Sequence, residues 1–374
     1  MKFALPTLLL TLSLSAIGAE IKVMTYNLGL AHTFVSYAEE RLPELAKAIA
    51  QSDAEVMCLQ EVWEKDDRNK ILSAIEESYA DVFMTKIKNK KSEHAPTCKI
   101  GDLFGKGKFV SCMQTQCKGL DGDEFTDCII NKCGDSLRAL KASNRECATS
   151  LMAQVGKNPI LSLLQLLNPL KKATLFAYKG SNGLMLLSKS PLKNKEVIDW
   201  SSISTLNRRQ ALKASIEKEG KKIDVVCTHL TSDLEKTVPY TGVFESWGEE
   251  NMAQIQSLKK KTIASEHLIV MGDMNCSVSS AGISPELENN CLELGLGLED
   301  VLPKFSNDCT FCGTNTLNDA DTLNTQIDHI YVRGLVAKDA QVTMQEPVTI
   351  KTKEGEVKSH LSDHFAIEAV LSLP

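Results

Sequence analysis

Six groups of polar residues punctuate this 374-residue chain, each placed at the end or edge of an apolar run. Asn27 follows Ile21–Tyr26, Gln60 and Glu61 follow Val56–Leu59, and Thr228 and His229 follow Ile223–Cys227. Gly272-Asp273-Met274-Asn275 follows Leu268–Met271, Asp328 sits within Ile327–Val332, and Ser362-Asp363-His364 precedes the apolar stretch from Phe365. Taken singly, each has a plain explanation: a solvated Glu, an Asx turn, a hydrogen-bonded His. Together they are all oxygen or imidazole groups, which coincidence explains poorly. Carboxylates and carboxamides are hard donors that suit Mg²⁺, Mn²⁺ or Ca²⁺. Two histidines far apart in sequence suit acid–base work, because zinc would need several clustered His or Cys ligands. No phosphate-binding loop, dinucleotide fingerprint or Gly-x-Ser-x-Gly elbow is present. The chemistry this points to is metal-assisted hydrolysis of a phosphate ester.

The elements that must position these groups are short and alternate in type. The runs Ile21–Tyr26, Val56–Leu59, Gly183–Leu187, Ile223–Thr228, Leu268–Met271 and Ile327–Val332 read as strands. Ala38–Gln51 and Glu249–Ile263 carry apolar residues at helical spacing. Interleaved strands and helices argue for an α/β fold, in which side chains at strand ends converge on one rim.

Composition bounds the rest. A hydrophobic content of 43% excludes wholesale disorder, and a net charge of −6 argues against a partner bound by global positive charge. Residues 1–19 begin with Lys2, run apolar and end in small residues, as a cleavable signal peptide does. Pro6 and four Ser/Thr disfavour an uncleaved anchor. A secreted or periplasmic location follows, and with it disulfides as the default state of the twelve cysteines.

One stretch breaks the α/β rhythm. Residues 86–179 hold 16 Lys/Arg against 8 Asp/Glu, a net of +8, leaving the rest of the chain from Glu20 at −15. This reads as a basic, Cys-rich, helical insertion into a domain spanning 20–374. Its cysteines, Cys98, Cys112, Cys117, Cys128, Cys133 and Cys147, suggest a pair of short helices stapled by two or three disulfides. A zinc site competes less well, since no histidine lies inside the cluster. Cys58 and Cys227 fall in core strands and read as buried free thiols. Cys276, Cys291, Cys309 and Cys312 are left to form one or two disulfides near the site, Cys309 and Cys312 lacking a thioredoxin-like setting. Pro159 can open and Pro169 can close an apolar helix flanked by Lys171 and Lys172. Such a helix either meets a lipid interface or packs on the domain. The lysines also keep nucleic acid in view, although stacking aromatics are few.

The motifs TYNL (25–28), LQEVW (59–63), SNGLMLLSKSPL (181–192), THL (228–230), GDMN (272–275), QIDHIYV (326–332) and SDH (362–364) resemble, in order, those of the endonuclease/exonuclease/phosphatase superfamily. That superfamily includes deoxyribonuclease I, neutral sphingomyelinases and inositol-phosphate phosphatases. The resemblance implies two packed mixed β-sheets flanked by helices, a four-layer α/β/β/α sandwich with the site at its mouth. It implies Glu61 as the Mg²⁺ ligand with Asn27 beside it, and Asp363 at the metal or supporting its neighbour. Asp273 would orient or deprotonate the attacking water, Asn275 would hold the phosphate, and His364 would be the base or share that role. Asp328 would orient a catalytic histidine, and His229 would contact the phosphate and assist the leaving oxygen. The family usually has Tyr where this chain has His329, which is kept as a structural residue. SNGLMLLSKSPL and RRQALKASI (208–216) look like the neutral sphingomyelinase branch and supply Asn182 and Arg208 as substrate-binding candidates. The implied activity is an Mg²⁺-dependent phosphodiesterase, with Mn²⁺ or Ca²⁺ as alternatives, acting on a sphingomyelinase- or phospholipase C-type membrane lipid. A secreted deoxyribonuclease I-like nuclease is the alternative, and an inactive binding or toxin subunit the second.

Overall fold

A computed structural model of the chain describes residues 20–32, 34–87, 98–120, 122–152, 154, 159–168, 176–235 and 238–374. Residues 1–19, expected from sequence to be a signal peptide, and His94, Pro169, Lys171 and Lys172 lie outside the described residues. Among the described residues the first elements are strand β1 (Glu20–Asn27), helix α1 (Ala38–Gln51), β2 (Val56–Gln60), α2 (Lys65–Ile75) and β3 (Asp81–Phe83). Among the described residues five α-helices follow: α3 (Ile100–Leu103), α4 (Phe109–Gln116), α5 (Gly122–Ser143), α6 (Arg145–Met152) and α7 (Pro159–Leu166). Next come β4 (Met185–Ser188), β5 (Lys193–Asp199), β6 (Gln210–Lys218), β7 (Lys221–His229), α8 (Trp247–Thr262) and β8 (Leu268–Asp273). The chain ends with α9 (Glu288–Gly295), β9 (Glu299–Asp300), β10 (Asp328–Arg333), β11 (Val336–Thr343), β12 (Val348–Thr352), β13 (Gly355–Ser359) and β14 (Ala366–Ser372).

Two mixed six-stranded sheets result, ordered β11-β14-β1-β2-β4-β3 and β5-β6-β7-β8-β10-β9, with β12 and β13 as a separate hairpin. The pairs β1–β2 and β7–β8 are parallel, joined through α1 and α8, and the remaining ladders are antiparallel. Side chains alternate across a strand, so every second residue faces the partner sheet. Ile21 and Val23, Val56 and Cys58, Val225 and Cys227, Ile269 and Met271, Ile330 and Val332 all enter one cluster between the sheets. The intervening residues turn outward. Met24, Tyr26, Met57 and Leu59 pack with Leu42, Leu45 and Ile49 of α1, while Val226, Leu268 and Val270 pack with Ile255 and Leu258 of α8. The result is the expected α/β/β/α sandwich. Ser246 caps α8 through the Glu249 N–H, Glu249 and Glu250 fill its first turn, and Lys259–Lys261 its last, so charge complements the dipole at both ends.

The twelve cysteines form six disulfides, with none free. Cys112–Cys133 and Cys117–Cys128 pair in opposite order, as the antiparallel helices α4 and α5 require, and Cys98–Cys147 ties this unit to α6. The stapled pair is not two short helices, because α5 runs for 22 residues. These helices carry their own apolar cluster, including Leu103, Phe109, Val110, Leu137 and Leu140. The expectation of free thiols at Cys58 and Cys227 is corrected: they are joined across the two sheets. Alternation turns both inward, and their Cα atoms come within 5.2 Å although 169 residues separate them. Cys276–Cys291 and Cys309–Cys312 complete the set. Among the described residues no helix is long and apolar enough to cross a membrane.

Candidate active site

Strand register gathers the six polar groups at one rim. His229 pairs with Asp273 across β7–β8, Asp328 pairs with Asp273 across β10–β8, and Asn27 pairs with Gln60 across β1–β2. The loop preceding β14 brings Ser362, Asp363 and His364 to the same end, the Ser362 hydroxyl donating to the Asn27 carbonyl at 2.7 Å. Asn27 then bridges the sheets: its Nδ2 donates to Asp273 Oδ2 at 2.9 Å and lies 3.4 Å from His364 Nε2. His364 Nδ1 meets Asp328 Oδ2 at 2.8 Å, and His229 Nε2 lies 3.4 Å from Asp273 Oδ2. The Asn275 N–H donates to Asp273 Oδ1 at 2.9 Å, and its side-chain amide donates to the Leu230 carbonyl. Asn27, His229, Asp273, Asn275, Asp328 and His364 are all buried. Glu61 and Asn275 both adopt the left-handed region, at φ 59° and 50°, a conformation that side chains hold only when their surroundings impose it. Gly29 serves the same mouth. At φ +53° it leaves room for the Asp363 carboxylate, which a Cβ there would approach to 2.1 Å.

Burial and mutual repulsion set the protonation pattern. Asp273 is pushed up to about 7, by burial first and then by Asp328, against the opposing influence of His364 and Asn27. Glu61 is raised by burial and by the nearby Asp363, with His364 and Arg209 offsetting part of the effect. His229 is driven well below its ordinary value by burial, Arg209 and His364, and is therefore neutral. For His364, burial favours the neutral ring, but Asp328, Asp363 and Asp273 outweigh it and hold an imidazolium.

The two substrate-binding candidates, Arg208 and Asn182, are each engaged by other side chains of the protein. Arg208 pairs with Asp199 at 2.9 Å and donates to Ser201 Oγ at 3.1 Å. Asn182 spends its amide on Gln210 at 2.9 Å, and its oxygen accepts from the Leu184 N–H and from Arg68. It is Arg209, one residue on, that is buried and interacts with Asp273 and Glu61. Strand alternation ahead of β6 decides which of the two faces inward, and the doublet itself gives no cue. Sequence reading also missed Arg41, whose guanidinium is fully buried and donates to the carbonyls of Leu28, Gly29, Ser36 and Leu361, joining the loops that carry Asn27 and Asp363. Two aromatic features flank the mouth. Trp63 stacks on Tyr178 at 4.6 Å and lies 6.0 Å from the His229 ring, and Phe311 sits 5.0 Å from His364.

The donor set fits a hard divalent cation. Glu61, Asp273, Asp328 and Asp363 converge with His364 and Arg209 as countercharges, and a cation would offset both the burial and the Asp363 repulsion that raise Glu61. Ligand atoms of Asp273, Asp328 and His364 lie within 4.8 Å of one another, a spacing that could hold a metal ion. Cys276, Cys291 and His329 also cluster, but the Cys276–Cys291 bridge consumes both thiolates. His329 instead contacts Asp300 and the Cys276 carbonyl, at 2.8 and 2.9 Å. Buried Arg209 Nη1, His229 Nδ1 and Asp328 Oδ1 have no hydrogen-bond partner among the described residues, and so are available to a ligand.

Residues 24–364 match the model of the Endonuclease/Exonuclease/phosphatase family. Among solved structures, the endonuclease/exonuclease/phosphatase from Beutenbergia cavernae superposes with a TM-score of 0.53 at 15% identity, covering 95% of this chain and 72% of that one. Sphingomyelinase C from Streptomyces griseocarneus gives 0.52 at 14% identity, over 95% of this chain and 100% of that one. D. rerio TDP2 complexed with single strand DNA product gives 0.52 at 16% identity, over 95% and 99%. At such identities the likeness is one of fold. No curated protein matches the chain by sequence.

Proposed function

The chain belongs to the endonuclease/exonuclease/phosphatase family, and from that premise we propose that it is an exported, divalent-metal-dependent phosphodiesterase acting on a sphingomyelinase- or phospholipase C-type lipid. The observation that carries the catalytic reading is the cross-sheet constellation Asn27–Asp273–His229 beside His364–Asp328. Asp273, with its proton affinity raised to about 7, accepts the proton of the attacking water near neutrality. His364, kept protonated by Asp328, presents its Nε2 proton to a phosphoryl oxygen, and Arg209 adds a second buried positive charge. Neutral His229 keeps one N–H for the leaving oxygen. Asn275, its backbone fixed by Asp273, orients the phosphate. Glu61 and Asp363, with Asn27 beside them, would hold the cation, which when bound supplies charge neutralisation for the phosphoryl oxygens.

The lipid assignment is supported by the net +8 of residues 86–179 and by Ile100 and Leu164, 69% and 65% exposed, on α3 and α7. The sphingomyelinase C likeness agrees with it at the level of fold. Export is supported by the full pairing of the cysteines. The second reading, a nuclease, draws on the basic residues of 86–179, since lysines contact phosphates regardless of sequence, and on the likeness in fold to TDP2 complexed with single strand DNA product. Purified protein is assayed on sphingomyelin liposomes and on plasmid DNA with Mg²⁺, and again with EDTA. Lipid turnover that EDTA abolishes and Mg²⁺ restores is the expected result; nicking of DNA without lipid turnover would reverse the assignment.

A further inference from the structure

Cys309, Thr310, Phe311 and Cys312 form a four-residue turn closed by their own disulfide. None of these residues has a part in the chemistry above, yet the turn touches both members of the His364–Asp328 pair. Thr310 is fully buried, and its Oγ1 accepts from the backbone N–H of Ile327 at 3.1 Å and of Asp328 at 3.2 Å. Its own N–H donates to the Thr325 carbonyl at 2.9 Å, and its carbonyl accepts from the Phe365 N–H at 2.7 Å. Phe311 exchanges backbone hydrogen bonds with Thr325, and its ring rests 5.0 Å from the His364 imidazole. The Cys312 carbonyl accepts from Asn318 Nδ2, which also donates to the Asp363 carbonyl at 2.9 Å. Asp328 and His364 reach each other from segments 36 residues apart, and this turn binds the backbone on both sides.

We propose that the bridged turn is a positioning clamp for the His364–Asp328 pair, with Thr310 as its positioning residue and the Cys309–Cys312 bridge as its fastening. The physical basis is exclusivity. Two buried N–H donors at the start of β10 converge on one hydroxyl, and removing it leaves both unpaired. A pair that must meet at 2.8 Å tolerates little drift, and misplacement of about 1 Å can reduce a rate by ~10²-fold. The bridge holds Thr310 between the strand start and the loop, where an open turn of the same length could swing aside.

The clamp rests on the reading that His364 takes part in catalysis, so the experiment tests both. Thr310→Val, Thr310→Ser, the double variant Cys309→Ala/Cys312→Ala, and His364→Ala are compared for kcat and KM on sphingomyelin liposomes and plasmid DNA, with thermal unfolding of each. Thr310→Val lowers kcat by about tenfold or more with KM unchanged, and Thr310→Ser, which keeps the acceptor, restores most of it. The bridge variant loses kcat as Thr310→Val does. Equal kcat for the Val and Ser variants, or undiminished kcat in the bridge variant, overturns the clamp; should Thr310→Val fail to fold, the bridge variant decides. An inactive His364→Ala beside a fully active Thr310→Val overturns the clamp alone. An active His364→Ala overturns the catalytic reading and the clamp together.

Discussion

Asp273 shows how much one side chain can be asked to do. It accepts from Asn27 of the opposite sheet and from the Asn275 backbone, and it stands 3.4 Å from His229. Replacing Asp273 or His364 with Ala should cut turnover by at least ~10²-fold while the thermal transition stays cooperative, since a general acid or base contributes about that much. Near-normal turnover in either variant would remove it from the catalytic set. His329 makes a different prediction. Burial opposes its charge, but Asp300 and the Cys276 carbonyl raise it from 6.5 to about 9. The folded protein therefore holds this proton more tightly than the unfolded chain. Its stabilisation, on the order of 3 kcal/mol, is complete below about pH 6.5 and is lost as pH rises through about 9. Thermal unfolding between pH 6 and 10 should show that decline in the wild type and lose it in His329→Phe; parallel curves would contradict it. At this scale the sequence was legible where a polar residue ended an apolar run, as at Asn27, His229 and Asp273. It was illegible at Arg208 and Arg209, two identical residues of which only the register of β6 turns one inward.

Between elements, the disulfide Cys58–Cys227 joins β2 to β7 within three residues of Glu61 and two of His229. Removing it, as Cys58→Ala/Cys227→Ala, should cost about 2–5 kcal/mol in denaturant unfolding. A loss below the error of extrapolation would show that the sheets hold register without it. The apolar runs located β1, β2, β7, β8 and β10 closely, and α1 falls on its expected bounds, because buried strands and amphipathic helices write period into sequence. The strands β5 and β11 did not announce themselves. They lie at sheet edges with mostly exposed side chains, so they are held by ladder hydrogen bonds that leave no apolar pattern. The cross-sheet bridge was hidden for another reason: only the packing of two sheets brings those cysteines together.

Over the whole molecule, charge is divided. A sandwich with a net of −15 carries, between the neighbouring strands β3 and β4, a disulfide-stapled helical unit within a segment at +8. Lys106, Lys118 and Lys132 are exposed on this unit. Binding to phosphatidylserine vesicles should weaken several-fold as NaCl rises from about 0.05 to 0.5 M. Changing the three lysines to Glu should weaken it by about tenfold or more at the lower salt. Co-sedimentation measures both, and salt-independent binding would place the contact elsewhere. The net charge of the chain conceals this division, which appears only when the segment is counted apart.

The stacking of Trp63 on Tyr178 has an optical consequence. Tyr178 is delivered by the last residues of the basic segment, whereas Trp63 follows Glu61 on the sandwich. The chain has only two other tryptophans, Trp200 and Trp247, both buried with their indole N–H groups bonded to Ser257 and Val238. With those two changed to Phe, the remaining indole is a single fluorophore at the catalytic mouth. Its emission reads the seating of the attached segment through Tyr178, and the arrival of a ligand beside Glu61, with no label added.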